Sequence, residues 1–401
     1  MLGSSQQPYR RYVRSVVGFF AFAVTLFAAV NTWINPLWVT PAPWTDEGFA
    51  EWRPIYRQQR TAKAGLVRSE SWDAAFFGSS RIDIAMDPAL PEWGDEKAVN
   101  LAVSAGTLPE TSGILHYTIQ NDPLQLAVVG IDLGDMLHGG SGMRNTGYME
   151  SPFNEKGDAF ERELRYVVGI SSFEASFRAI TNRINKRPPE YTIQGHRLRH
   201  QENYDVAQVI DRDSIPHAMR VIRGRRTGIS PNPWKMECLQ RILDDTKAAN
   251  CKLVVVLPPN HATYLGVYYY LDDVDPTHLM DRELILKMLK DSNEAHPDAP
   301  AATVWDFNDF HALNCEKFTP PGERMKWWLD GTHARKALGD VMLARIMDWP
   351  IEGPGKDYGV ELTLDGLQSR SEQLFAGYER FKTESPDLWN WMVESISHYQ
   401  E

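Results

Sequence analysis

The stretch from Ser15 to Ile34 constrains this chain more than any other. It reads Ser-Val-Val-Gly-Phe-Phe-Ala-Phe-Ala-Val-Thr-Leu-Phe-Ala-Ala-Val-Asn-Thr-Trp-Ile and carries no charge. About 20 largely apolar residues in a helix cross a hydrocarbon core. Arg10, Arg11 and Arg14 precede the run, while Trp33 and Trp38 fall where an interfacial aromatic belt would lie. The run predicts a single-pass anchor in the lipid bilayer of the cytoplasmic (inner) membrane. By the positive-inside rule its N-terminus is cytoplasmic, and everything after about residue 36 lies in the periplasm or another extracytoplasmic space. A cleaved signal peptide shares the positive start and the apolar run. The length of the run and the bulky Trp33–Trp38 stretch, a poor cleavage site, favour an uncleaved anchor. The predicted organisation is a cytoplasmic stub and anchor over 1–36, a linker over 37–71, an α/β domain over 72–350 interrupted by an insertion at about 139–235, and a C-terminal helical appendage over 351–401.

Beyond the anchor, short apolar runs alternate with helical patterns. Ala74–Phe77, Ala98–Val103, the run within Leu124–Leu133, Lys252–Leu257 and Thr303–Phe307 read as buried strands. Helices are predicted over 54–64, 109–121, 171–186, 234–249, 281–293 and 334–347. Continuous apolar strands joined by helices imply parallel pairing, with both sheet faces covered. The expected fold is α/β, a three-layer α/β/α arrangement around a mainly parallel, doubly wound sheet.

A formal net charge of -11 argues against nucleic acid as the partner, because phosphate binding needs concentrated Lys and Arg. The insertion does hold a basic group, Arg197, Arg199, Arg223, Arg225 and Arg226. It reads as solvated surface, or as a face for an anionic membrane or polymer. Cys238, Cys251 and Cys315 show no metal-site spacing. They read as buried thiols, with a Cys251–Cys315 bridge open to them in an oxidising compartment. Neither a Walker-type phosphate loop nor a GxGxxG turn occurs, so no cofactor and no metal is expected.

Two short motifs carry chemistry. Gly78-Ser79-Ser80 follows the first strand directly, at the carboxyl edge where sites form in open α/β sheets. A serine hydroxyl needs a neighbouring base to become a nucleophile. Asp330-Gly-Thr-His333 supplies one from a single loop: the carboxylate reaches one ring nitrogen and frees the other to take a proton. Taken alone, Gly78-Ser79-Ser80 reads better as a structural turn, and Asp330–His333 reads equally as a helix N-cap with an incidental surface His.

Together, in this order, they resemble the SGNH (GDSL-type) hydrolase and acyltransferase superfamily. The resemblance covers roughly residues 72–140 and 250–345. It implies Ser80 as nucleophile, His333 as base and Asp330 as its orienting partner. It also implies an oxyanion hole from the N–H groups of Ser80 and Gly106, the latter in Asn100-Leu-Ala-Val-Ser-Ala-Gly-Thr107. The third family block departs: Gly130-Ile-Asp132-Leu-Gly-Asp135 has no Asn where one is usual. An ionised Asp132 there must be protonated, paired or turned away. Arg81, Asp132, His261 and Trp328 are the candidate substrate-binding residues, with Trp327 as a second platform; the plainer readings are a structural salt bridge for Arg81, a strand-end His261 bonded to backbone, and packing for Trp327 and Trp328.

The opening Gly-Ser-Ser, the anchor and the outside location are similar to the DltD-like D-alanyl-transfer proteins and to the O-acetyltransferases of exopolysaccharide clusters. That branch implies an enzyme that O-acetylates a cell-surface polysaccharide beside a membrane-bound O-acyltransferase (MBOAT-type) donor. An esterase or deacetylase uses the same apparatus with water. A non-catalytic scaffold subunit keeps the fold without turnover.

Overall fold

A computed structural model describes residues 6–137, 147–199, 205–225, 230–272 and 276–400. The chain divides into two compact units, Met1–Glu70 with Asn145–Ile193, and Ser71–Arg144 with Gln194–Glu401.

The first unit is helical. One helix runs over Gln6–Ile34, and within it Tyr9–Ile34 is long and apolar enough to cross a membrane, with none of its most apolar window buried. Its last turns pack on helices Ala159–Val168 and Ile170–Ile184. Asn31 donates to the Val167 carbonyl and accepts from the Ser176 hydroxyl, and the Phe27 and Phe173 rings stack at 4.4 Å. The span expected as a linker, 37–71, is therefore structured. Helix Gln59–Ser69 is buried over most of its length and starts later than the 54–64 expected, after a 3-10 turn at Ile55–Gln58. The Lys63 ammonium lies over the Tyr191 ring, and the Gln59 amide bonds the Tyr191 hydroxyl at 2.7 Å. The expected insertion is thus divided: its described residues up to 193 build the first unit and those from 194 build the second.

The second unit is α/β. Among the described residues it holds a six-stranded sheet of order β2-β1-β3-β4-β5-β6. The strands are β1 Ala74–Phe77, β2 Ala98–Asn100, β3 Leu126–Gly130, β4 Lys252–Leu257, β5 Thr303–Asp306 and β6 Val360–Leu362. The first five pair in parallel and β6 joins β5 antiparallel. Their apolar residues are buried almost without interruption, as two-sided cover requires. Helix Lys336–Met347 approaches helix Ser80–Ala85 so closely that a Cβ on Gly339 would fall 1.8 Å from the Ala85 carbonyl.

Residues 351–401 are no appendage. They supply β6 and helices Leu367–Glu384 and Pro386–His398, whose Leu374, Tyr378, Phe381, Leu388 and Met392 lie in the core. A buried ion cluster fixes them. Asp306, at the end of β5, accepts from Arg282 Nε at 3.0 Å and Arg370 Nε at 2.9 Å, and Arg370 also reaches Asp309. Burial would raise the Asp306 carboxyl, but the two guanidinium charges outweigh it and hold it at about 2.

The Cys251–Cys315 bridge does not form, and all three cysteines are free. Cys251 precedes β4, whereas Cys315 lies past the carboxyl end of β5, so parallel strands keep them at opposite edges of the sheet. Of the basic group, Arg223 reaches the Tyr399 carbonyl at 3.4 Å. Arg226 and the side chain of Arg225 lie outside the described residues.

Replacing Asp306 by Asn leaves two buried guanidinium groups short of countercharge. We expect a loss of about 3–5 kcal/mol of stability, measured by denaturant unfolding at neutral pH. An unchanged unfolding midpoint would show that the cluster does not hold the C-terminal region.

Candidate active site

The turn after β1 is built for a sharp change of direction. Gly78 takes φ +140, where a side chain is strained, and a Cβ there would meet the Gly130 carbonyl and Ile82 at 3.0 Å. Ser79 then caps helix Ser80–Ala85, its hydroxyl accepting from the Arg81 N–H. With Ser79 used as the cap, Ser80 begins the helix with its hydroxyl half-buried and turned to the site. Buried Asn100, at the end of β2, closes the other end of this helix by donating to the Ile82 and Met86 carbonyls.

The base comes from a closed loop. Leu329 N–H donates to the His333 carbonyl, Arg335 N–H donates to the Trp327 carbonyl, and Trp328 bridges Ala334. Inside it, Asp330 Oδ1 accepts from the N–H groups of Thr332 and His333, both at 2.8 Å. Asp330 Oδ2 lies 2.7 Å from His333 Nδ1, and His333 Nε2 lies 2.8 Å from Ser80 Oγ. Burial works against ionising Asp330. The His333 charge and the bonds from His333 and Thr332 outweigh it and keep the carboxyl well below the usual carboxylate range. An ionised Asp330 takes the proton on Nδ1, which leaves Nε2 to accept from the serine hydroxyl. Ser80, His333 and Asp330, 253 residues apart at the extremes, are thus brought into one hydrogen-bonded line.

The other expected site residues divide differently. Gly106 is in place: a Cβ on it would fall 2.7 Å from the Gly78 carbonyl, so its loop touches the serine turn. Its N–H, however, already donates to the Val103 carbonyl at 2.9 Å and does not point free into the site as an oxyanion donor. No acceptor for the Ser80 N–H occurs among the described residues. Asp132 is paired, with Arg81 Nη1 at 3.0 Å from its Oδ1.

Arg81 is not offered to a ligand, because its guanidinium is spent within the protein. Nε donates to the Thr332 carbonyl, and Nη2 donates to the Pro258 and Pro259 carbonyls and to Asn260 Oδ1. Nor does His261 line the site. It is fully buried, with Nε2 donating to the Glu316 carbonyl and Nδ1 accepting from Thr263, and its backbone N–H holds the Gly331 carbonyl at 3.0 Å. Trp328 is also core, its Nε1 bonded to the Leu313 carbonyl at 2.9 Å. Trp327 is half-buried beneath the Lys326 ammonium. The structural salt bridge open to an Arg directly after the motif serine is the one found for Arg81; its bonds to the Thr332, Pro258 and Pro259 carbonyls and the capping role of Asn100 carry no sequence signal.

A cleft of about 460 Å³ opens beside the same loop. Ile84, one turn after Ser80, and Leu329 and Arg335, which bracket Asp330–His333, are among its lining residues, together with the apolar Leu198, Met325 and Ala337 and the basic Arg197, Arg199, Arg324, Lys326 and Lys336. Among the described residues no carboxylate lines it. Arg197 also bonds the Ser104 hydroxyl at 2.8 Å, in the loop that leads to Gly106.

Neither a protein-family model nor a curated relative matches this chain.

The Arg81 clamp predicts that Arg81→Met frees the 330–333 loop from the serine turn. Labelling of Ser80 by a fluorophosphonate probe should then fall by at least about tenfold, with Arg81→Lys recovering only part, since an ammonium lacks the planar fork. Equal labelling of all three proteins would remove the positioning role.

Burial lowers His261 from 6.5 to about 4. The unfolded chain therefore takes up a proton below about 6.5 that the folded chain refuses until about 4, so stability is full above that window and is lost as pH falls through it. Between pH 7 and pH 5 this amounts to about 2 kcal/mol. His261→Gln should flatten the acid slope of unfolding free energy by that amount. An identical slope in the variant would contradict the assignment.

Proposed function

We propose that this chain is a membrane-anchored, extracytoplasmic serine acyltransferase that places an acyl group, taken to be acetyl, on a hydroxyl of a cell-surface polysaccharide. The observation that carries this reading is the line Ser80 Oγ, His333 Nε2, His333 Nδ1, Asp330 Oδ2, with links of 2.8 and 2.7 Å. Its order along the chain and its place at the carboxyl edge of a parallel sheet support an SGNH-like three-layer domain. The apolar helix over Tyr9–Ile34 supports an anchor with the second unit outside the cytoplasm.

In this reading Ser80 Oγ attacks the acyl carbon of the donor while its proton passes to His333 Nε2. The tetrahedral oxyanion faces the Ser80 N–H. Collapse breaks the bond to the leaving group, which departs with the proton from His333, and leaves an acyl ester on Ser80. An acceptor hydroxyl then gives its proton to His333 and attacks that ester, and the second collapse returns the proton to Ser80 Oγ. Asp330 stays ionised throughout and stabilises the imidazolium. An MBOAT-type membrane enzyme is the proposed acyl donor.

Experiments on the isolated protein and in cells test the proposal. With an activated acetyl ester and the full chain, acyl-Ser80 should accumulate by mass spectrometry, and Ser80→Ala should lower turnover by at least about 10³-fold. Asp330→Asn should cost a similar factor, about 10³–10⁴, without changing the unfolding midpoint by more than a surface mutation does. In cells, the surface polymer of a Ser80→Ala strain should lose its acyl groups. Full acylation in that strain would replace the enzyme by a scaffold subunit, and release of free acid with no acyl polymer would replace the transferase by an esterase.

A further inference from the structure

We propose that helices Ala159–Val168 and Ile170–Ile184 lie in the membrane interface alongside the carboxyl end of the Gln6–Ile34 helix, so that the first unit is seated in the bilayer and not merely tethered to it. The inference rests on reading Tyr9–Ile34 as a membrane span.

Water-soluble helices of this size bury their apolar stripe. Here Ile170, Phe173, Phe177, Ile180 and Ile184 recur at helical spacing along one side, yet Ile170 is 76% exposed, Phe177 60% and Ile184 72%. On the neighbouring helix Phe160 is 79% exposed and Leu164 48%. The buried side of helix Ile170–Ile184 is a different one, formed by Ser172, Ala175, Ser176 and Ala179. The stripe therefore lies beside the packed face, and its exposed members Ile170, Phe177 and Ile184 are surplus to the fold.

What covers it follows from its neighbour. Phe173, within the stripe, stacks on Phe27, and Ile180, like Val30, packs against the cluster of Ile34, Phe49 and Ala179. The stripe thus continues the apolar surface of the span, where Phe19, Phe20, Phe22 and Leu26 are themselves exposed. Phe27 is seven residues before Ile34, about 10 Å along the helix axis at 1.5 Å per residue. In-plane amphipathic helices bury their apolar face by about 5–10 Å, so the stripe lies at the depth such a helix takes. The polar sides fit water: Glu161 pairs with Arg165, and Glu174 with Arg178, across successive turns. Exposed Lys186 and Arg187 follow the end of the second helix, where long cationic side chains reach lipid headgroups.

Site-directed spin labels on the full chain in single-copy lipid nanodiscs test this. Labels at Phe160→Cys, Phe177→Cys and Ile184→Cys, in a Cys315→Ser background since Cys238 and Cys251 are buried, should show collision rates with oxygen severalfold above those with a water-soluble nickel complex. Labels at Glu161→Cys and Glu174→Cys should show the reverse, and a label at Phe20→Cys serves as the reference for the span. A Phe20 label in lipid with the three stripe labels in water overturns this inference alone. A Phe20 label in water overturns the span and this inference together. Stripe labels shielded only in concentrated detergent solution, and open in nanodiscs, would assign the stripe to a second copy of the chain and equally overturn it.

Discussion

The guanidinium of Arg81 is the interaction on which the candidate site depends. Every parallel strand ends with carbonyl groups that the ladder no longer satisfies, and buried acceptors without donors are costly. The carboxyl edge of this sheet gathers several in one place: the Pro258 and Pro259 carbonyls after β4, the Asp132 carboxylate after β3 and the Thr332 carbonyl of the base-bearing loop. One planar cation answers all of them. Because Arg81 directly follows Ser80, the same bonds set the serine turn against the loop of His333. The 2.8 Å contact between the two reacting groups is then a consequence of satisfied backbone, with little left to side-chain chance.

A second buried charge organises the opposite flank. Asp306 draws Arg282 and Arg370 onto the end of β5, and Arg370 brings with it the helix that follows β6. The aromatic groups of that region, Tyr378 against Tyr269 and Phe381 against Phe310, then complete the core. Polar helices at the end of a chain are structural here because one ion cluster orders them and the apolar contacts follow.

The parts of this architecture that were legible in the sequence are those set by local chemistry. Ala74–Phe77 and Lys252–Leu257 are unbroken apolar runs, and Asp330 and His333 stand at a spacing that one turn closes. The Tyr9–Ile34 helix, long and apolar enough to cross a membrane, shows itself by its uncharged apolar length. What was not legible depends on distant partners. Val360-Glu-Leu362 is too short to announce a strand, and it pairs only because β5 leaves an open edge. Helix Gln59–Ser69 looks polar, and it is buried because Tyr191, far along the chain, covers Lys63 and Gln59. His261 is the strand-end His bonded to backbone and Trp328 the packing residue that the plainer readings allowed, but which carbonyls they close on, Glu316 and Leu313, no spacing rule connects. Gly106 sits where its motif implies while its N–H serves the turn itself.

The carboxylate of Asp132 becomes intelligible through the same cation. A carboxylate near the place where an oxyanion would form opposes it, and a cation in the first turn of a helix opposes the helix dipole. Each feature alone is unfavourable. Placed 3.0 Å apart they cancel, and the guanidinium keeps enough donors for the carbonyls around it. An amide at position 132 would leave Arg81 with its full charge beside the Ser80 N–H, where it would compete for any developing anion. The two residues are therefore coupled: the acidic residue is tolerated because the arginine is fixed, and the arginine is held at a helix start because the acidic residue and the strand-end carbonyls surround it.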